Sequence, residues 1–189
     1  GTWLAVSPNG TISAVTNVRE GSGEPGRLTR GQLPLMIQQQ PRQEVQQHLT
    51  DNGNLYAGFN LIQLRDREGW YYSNRDAHPG RSLHRGTYGL SNHLLQSPWP
   101  KLVRLREQLR ATLGGTDPSA PETLHSALLD QLQDTSPAPD NRLPDTGVGL
   151  DRERFLSSPF IQSELYGTRA STVVTVARSG EIRVTEQTW

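Results

Sequence analysis

Three times in this chain two short β-type runs flank a tight-turn sequence, and that pattern restricts the fold more than any other feature. Thr2–Val6 and Thr11–Thr16 enclose Ser7-Pro8-Asn9-Gly10. The Asn-Gly pair accepts the positive φ that two-residue hairpin loops demand. Asn60–Leu64 and Trp70–Ser73 enclose Asp66-Arg67-Glu68-Gly69, and Ser171–Ala177 and Glu181–Thr185 enclose Arg178-Ser179-Gly180. A short strand at Ser82–Arg85 and the segment Thr87–Ser91 follow the second hairpin. Turns this short join only antiparallel neighbours, whereas parallel pairing needs a long crossover. The sheets of this protein are therefore expected to be antiparallel.

Helical signals fill the intervals. Leu33 to Leu49 reads as helix broken at Pro41, which suits the first turn of a second helical piece, with a Gln-rich solvated face (Gln38, Gln39, Gln40, Gln43, Gln46, Gln47). Ser97 as cap, Pro98 or Pro100 in the first turn and Gly114 as stop frame a helix over 98–113. Its apolar stripe is Leu102, Leu105, Leu109 and Leu113. Ser119-Ala120-Pro121-Glu122 has capping-box form and opens a helix over 119–133 with Leu124, Leu128 and Leu132 on one side. Residues 19–31 read as a loop, and residues 134–149, with three prolines and two glycines, as a long exposed or partly disordered one. The order is hairpin, helix, hairpin, two helices, loop, hairpin. It fits an α+β fold, either two antiparallel sheets between helices or one large sheet carrying them, the two leucine-striped helices sharing an outer face.

Charge and composition exclude some classes. Lys+Arg and Asp+Glu are both 19, so no basic excess points to nucleic acid, and no nucleic-acid partner is expected. There is no cysteine, so these residues supply no disulfide, thiolate metal site or catalytic thiol. No stretch approaches the roughly 20 apolar residues of a membrane span. No secretory signal opens the chain, and the expected compartment is the cytoplasm. The single methionine is Met36 and the chain begins on a strand-like run, Trp3–Val6. The expectation is that about 40–60 residues with a first strand are missing, leaving an open sheet edge or a second chain beside Thr2–Val6.

Four polar runs stand where strands should end: Thr16-Asn17, Ser73-Asn74-Arg75-Asp76, Gly89-Leu90-Ser91-Asn92-His93 and Tyr166-Gly167-Thr168-Arg169. They read equally as turn chemistry or as a site where Asn amides and backbone N–H groups face an oxyanion and Arg holds a carboxylate. The five histidines (His48, His78, His84, His93, His125) have no metal-ligand spacing and read as surface or half-buried structural groups. Ser91 with His93 is a weak nucleophile pair. The carboxylate pairs Asp66/Glu68 and Asp151/Glu153 read as solvent-facing. Gly1-Thr2 has the form of a self-processing bond that exposes a threonine nucleophile, a chemistry blocked while Gly1 is attached.

Seven short motifs occur in the order of one family. They include Gly1-Thr2-Trp3-Leu4-Ala5-Val6, Thr16-Asn17-Val18-Arg19, Asn60-Leu61-Ile62 and Tyr88-Gly89-Leu90-Ser91-Asn92 with Pro98-Trp99-Pro100-Lys101. Leu143-Pro144-Asp145-Thr146-Gly147 and Tyr166-Gly167-Thr168-Arg169 continue the series. The chain thereby resembles the NRDE, or transport-and-Golgi-organisation, family along its whole length. Members begin Met-Cys and carry an Asn-Arg-Asp-Glu motif ahead of a Gly-Gly-Thr-Trp strand. This chain starts inside that strand, and Asn74-Arg75-Asp76 only imitates the naming motif. The resemblance implies one N-terminal-nucleophile-hydrolase-like domain over 1–189, truncated at its start, with an antiparallel αββα sandwich. It implies Asn17 and Asn92 as the two Asn sites and Arg169 as a pocket arginine, converging on one cleft with Trp3 or Tyr166 on its wall. The implied function is handling of a small-molecule, haem or lipid/acyl-CoA ligand. The alternative is a Cys-dependent amidohydrolase of a non-peptide C–N bond whose nucleophile lies in the absent segment.

Overall fold

The computed structural model describes residues 2–21, 23–115 and 120–189, and the chain divides into two compact units, Gly1–Ser97 and Pro98–Trp189. Gly1 of the Gly1-Thr2 bond and Ser119 of the capping-box sequence fall outside the described residues.

The first unit is a five-stranded antiparallel sheet in the order β1 (Leu4–Val6), β2 (Ile12–Asn17), β3 (Phe59–Arg65), β4 (Glu68–Ser73), β5 (Arg81–Leu83). Both hairpins expected here form. The second turn is tighter than the four residues anticipated: Asp66 (φ 51°) and Arg67 (φ 64°) alone make it, and Glu68 and Gly69 already pair with Arg65 and Leu64. Two consecutive residues in the left-handed region match the twist of the flanking strands, which explains the two-residue loop. Of the segment after it, only Arg81–Leu83 is strand, and residues 87–91 are irregular.

Between β2 and β3 run α1 (Leu33–Gln39) and α2 (Arg42–Asn52), with Pro41 as the cap of α2. Cross-strand register puts Val15, Leu61 and Tyr72 in one row and Asn17 opposite Phe59 on the same face. That face packs on Leu33, Ile37, Val45 and Leu49 in the core. Two buried polar residues of this face tie sheet to helix. The Ser13 hydroxyl donates to the Pro34 carbonyl (2.8 Å), and the Gln63 amide to the Ile37 carbonyl (2.9 Å). The second bond satisfies a carbonyl that the end of α1 leaves open. Of the Gln run, Gln38 departs from the solvated reading: its amide donates to the Ser13 hydroxyl at 3.1 Å. The opposite sheet face carries Leu4, Ala14, Ile62 and Tyr71 in one row, with Val6, Ile12, Leu64 and Leu83 beyond.

The second unit holds α3 (Pro100–Gly115), α4 (Pro121–Leu132), α5 (Leu150–Phe155) and an antiparallel pair, β6 (Ala170–Val176) and β7 (Ile182–Thr188). α3 runs through Gly114 rather than stopping there. Its stripe is graded from buried Leu102 to exposed Leu113. α4 packs on α3 and on β6, but its most buried positions are His125 and Leu129, one step round from the Leu124/Leu128/Leu132 stripe. The reason is polar: His125 fills the seat beneath the sheet by bonding two strand hydroxyls. Residues 134–149 are also not the loose stretch expected. The Ala138 amide donates to Ser157 Oγ (2.9 Å), and the Thr146 amide and hydroxyl both donate to Glu153 Oε1 (2.9 and 2.5 Å). Glu153 is therefore buried, against the expectation for the Asp151/Glu153 pair. No helix among the described residues is long and apolar enough to cross a membrane.

Candidate functional site

In an antiparallel sheet the end of β2, the start of β3 and the end of β4 meet at one edge, and here that edge is unusually polar. Thr16, Asn60 and Ser73 form one cross-strand row and Asn17 pairs with Phe59. The irregular segment 89–97 lies on this row. Thr16 Oγ1 donates to the Ser91 carbonyl (2.9 Å), and the Asn60 amide donates to Thr16 Oγ1 (3.1 Å) and to the His93 carbonyl (3.0 Å). The Tyr71 hydroxyl donates to Asn60 Oδ1 (2.8 Å) and accepts from the Leu95 amide (3.1 Å). Burial, chiefly, pushes the Tyr71 phenol above its ordinary pKa, so it stays a neutral donor at physiological pH.

Of the three residues singled out in the sequence, two meet here. The Asn92 amide donates to the Asn17 carbonyl (3.2 Å), and the Arg19 amide donates back to the Asn92 carbonyl (2.7 Å). Asn92 thus holds the end of β2 through its side-chain Nδ2 and its backbone carbonyl, and Nδ2 keeps a second hydrogen. The Asn17 side chain differs: its Oδ1 is buried and, among the described residues, accepts no hydrogen bond. A buried acceptor left empty costs about 1–3 kcal/mol, so it is either strain or a place kept for a donor. Arg169 stands in the other unit, exposed, immediately before β6, its carbonyl accepting from the Trp189 amide (3.0 Å). Trp3 and Tyr166 are both exposed.

Several groups resolve as scaffold. Asn74 holds the β3 approach: its Oδ1 accepts from the Phe59 amide (2.9 Å) and its amide donates to the Gly53 carbonyl (3.0 Å). Arg75 is paired with Glu20, and Asp76 with Arg81. Burial opposes its ionisation, but the His78 amide and the Arg81 guanidinium together hold the Asp76 carboxyl low. His93 pairs not with Ser91 but with Ser97, Nδ1 to Oγ at 2.7 Å. That hydroxyl donates to the Leu94 carbonyl (2.8 Å), so its proton is committed away from the ring. Of the network's hub, Asn60 is marked in the sequence only as part of the Asn60-Leu61-Ile62 motif and Tyr71 not at all, and neither is expected there as a site residue. An Asn within a strand flanked by apolar residues, Phe59-Asn60-Leu61, is the signal that could have found them. Among the described residues no group of three or more His, Asp or Glu is placed to hold a metal ion.

Comparison with known proteins gives this arrangement its context. The family model described as "Transport and Golgi organisation 2" matches residues 1–189. The mouse "Transport and Golgi organization 2 homolog" is 29% identical over 201 residues, covering 99% of this chain and 71% of that protein. The bovine and human proteins named "Transport and Golgi organization protein 2 homolog" are 32% and 31% identical, with the same coverages. The chain belongs to the transport and Golgi organisation 2 family.

Proposed function

We propose that this protein is a ligand-handling member of its family and that the polar sheet end around Asn17 and Asn92 receives the ligand's polar group. The observation that carries this reading is the empty, buried Oδ1 of Asn17 beside the fixed Asn92 amide. The group that completes it is an N–H or O–H donor. The cargo follows from the resemblance: haem or a lipid/acyl-CoA species, with Arg169 holding a carboxylate or phosphate. On the same reading the two units are halves of one αββα domain. Each unit by itself supports this, being a sheet with helices on one face and an apolar row on the other, Leu4–Ala14–Ile62 in the first and Val174, Val176, Ile182 and Val184 in the second. The protein would work in the cytoplasm, and a further strand from a second chain would pair on the edge strand β1.

The test uses Asn17→Ala. Binding of haemin and of palmitoyl-CoA is measured by titration, and stability by urea unfolding. Expected is at least a fivefold loss of affinity for one probe. Stability should stay unchanged or rise by up to about 1 kcal/mol, because the substitution removes an unsatisfied acceptor. Unchanged binding together with a loss above 2 kcal/mol would make Asn17 purely structural and end the proposal. Asn92→Ala, which deletes a used bond, should cost about 1 kcal/mol and loosen residues 89–97 in hydrogen exchange.

A second reading draws on the same pair. In an amidohydrolase with an N-terminal nucleophile, the spare Asn92 amide hydrogen would face the oxyanion and Asn17 Oδ1 would accept from the nucleophile's α-amine. The 189 residues contain no cysteine, so the thiol would come from outside them. Turnover of an N-acyl amide that falls about 10²-fold in Asn92→Ala, the loss typical of one oxyanion donor, would favour this reading over simple carriage.

A further inference from the structure

The second unit holds a concavity unrelated to the Asn17 site. It measures about 480 Å³ and is lined by Asp151, Arg154, Phe155 and Phe160, with Ser158 and Gln162 among its polar groups. That volume lies within the range of small-molecule sites. Its aromatic lining is Phe155 and Phe160, each in contact with a further ring. Phe155 is 39% exposed, and its ring meets that of Tyr166 (60% exposed) at 54° with centroids 6.1 Å apart. Phe160 is held edge-on against Trp189, centroids 5.0 Å apart, which fixes its orientation in the wall.

The charge in this concavity is settled by hydrogen bonding. Arg154 grips Asp140 with both Nε (2.8 Å) and Nη2 (2.7 Å), and its Nη1 donates to Asp151 (2.8 Å). One guanidinium thus serves two carboxylates, which leaves a net charge of −1 on the triad. The Ser158 hydroxyl is spent on the Phe160 carbonyl (2.7 Å), so it offers no free proton to an anion. An anionic ligand would meet the Asp151 carboxylate and a guanidinium already engaged by Asp140 and Asp151. A compact ammonium would give up strong hydration for ring faces that return few hydrogen bonds. A methylated ammonium is weakly hydrated and apolar at its surface, and it gains from both the rings and the carboxylate.

We propose that this aromatic and acidic concavity binds a quaternary, methylated ammonium group, with the ring of Phe155 against the methyls and the Asp151 carboxylate as counter-charge. The test uses the full chain and choline chloride, followed by calorimetry and by chemical-shift changes of the Tyr166 and Phe155 resonances. The control is 3,3-dimethylbutan-1-ol, in which carbon replaces the charged nitrogen. Choline should bind saturably, and the neutral isostere at least about tenfold more weakly. Phe155→Ala should lower choline affinity about tenfold and Asp151→Asn several-fold. The Asp151 side chain is 98% exposed, so that variant should keep the wild-type Tm and decides the matter if Phe155→Ala fails to fold. Absence of saturable binding, equal binding of the isostere, unchanged affinity in Asp151→Asn, or displacement of choline by acetate would each overturn the proposal. Loss of haemin or palmitoyl-CoA binding in Asn17→Ala leaves this site untouched, so the two readings fail separately.

Discussion

Asn60→Leu is expected to lower stability by about 3 kcal/mol, a fall in Tm of roughly 6–12 °C for a chain of this length. Leu matches the volume but not the bonds. Asn60 is fully buried and serves three partners: it accepts from Tyr71 and donates to Thr16 and to the His93 carbonyl. The substitution removes the acceptor of the Tyr71 hydroxyl proton and a donor to the His93 carbonyl in a place water reaches poorly. Each such loss costs about 1–3 kcal/mol. Tyr71→Phe alone should cost less, about 1–2 kcal/mol, because the Asn60 carbonyl and the Leu95 amide lose one partner. The double variant should fall well short of the sum, since the two side chains belong to one network. Thermal unfolding followed by circular dichroism measures all three. Strict additivity, or a loss below 1 kcal/mol for Asn60→Leu, would show that the segment 89–97 is not anchored through this pair.

The second large effect concerns acid. His125 is 2% exposed, and both ring nitrogens meet hydroxyls, Nδ1 at Thr185 (2.7 Å) and Nε2 at Thr175 (2.9 Å). Burial lowers its pKa first, the Arg183 charge adds to that, and Glu122 opposes it. The folded protein therefore holds a neutral ring at a pH where the unfolded chain has begun to take up a proton. Stability from this group is fully present above the ordinary His value of about 6.5. It falls as pH drops from there toward the depressed folded value. His125→Ala should cost about 3 kcal/mol at pH 7.5, from the cavity and two bereft hydroxyls, and should flatten the loss between pH 7 and 5. Urea midpoints across that range decide it. A wild-type midpoint that rises on acidification through this window, or an acid slope unchanged in the variant, would contradict the assignment.

Hairpins were legible because their signal is local. Gly10 and Gly180 turn with positive φ, and strand alternation follows within a few residues. The break at Pro41 was equally plain, since a proline ring forbids an interior helical position. What escaped the sequence depended on partners far along the chain. His125 is separated from Thr175 and Thr185 by 50 and 60 residues, so the leucine periodicity of α4 pointed to the wrong face by one position. Residues 134–149 have a composition of loose chain, yet Thr146 and Ala138 are fastened by Glu153 and Ser157. The same blindness applied to the site. Asn17 and Asn92 stand in polar runs that draw notice where strands should end, while Asn60 and Tyr71, which hold their surroundings, lie inside β3 and β4, strands that read as ordinary.

The hydrogen bonds that join the segment 89–97 to the first sheet span 75 residues at Thr16 and Asn92 and 33 at Asn60. During synthesis, therefore, the hairpin of β1 and β2 can pair as soon as it clears the ribosome, but the polar end of β2 cannot be completed until residue 95 has followed. At about 5–20 residues per second, the intervening stretch of roughly 80 residues keeps that end unfinished for about 4–16 seconds. Throughout this interval the apolar row of the nascent sheet is a target for chaperones.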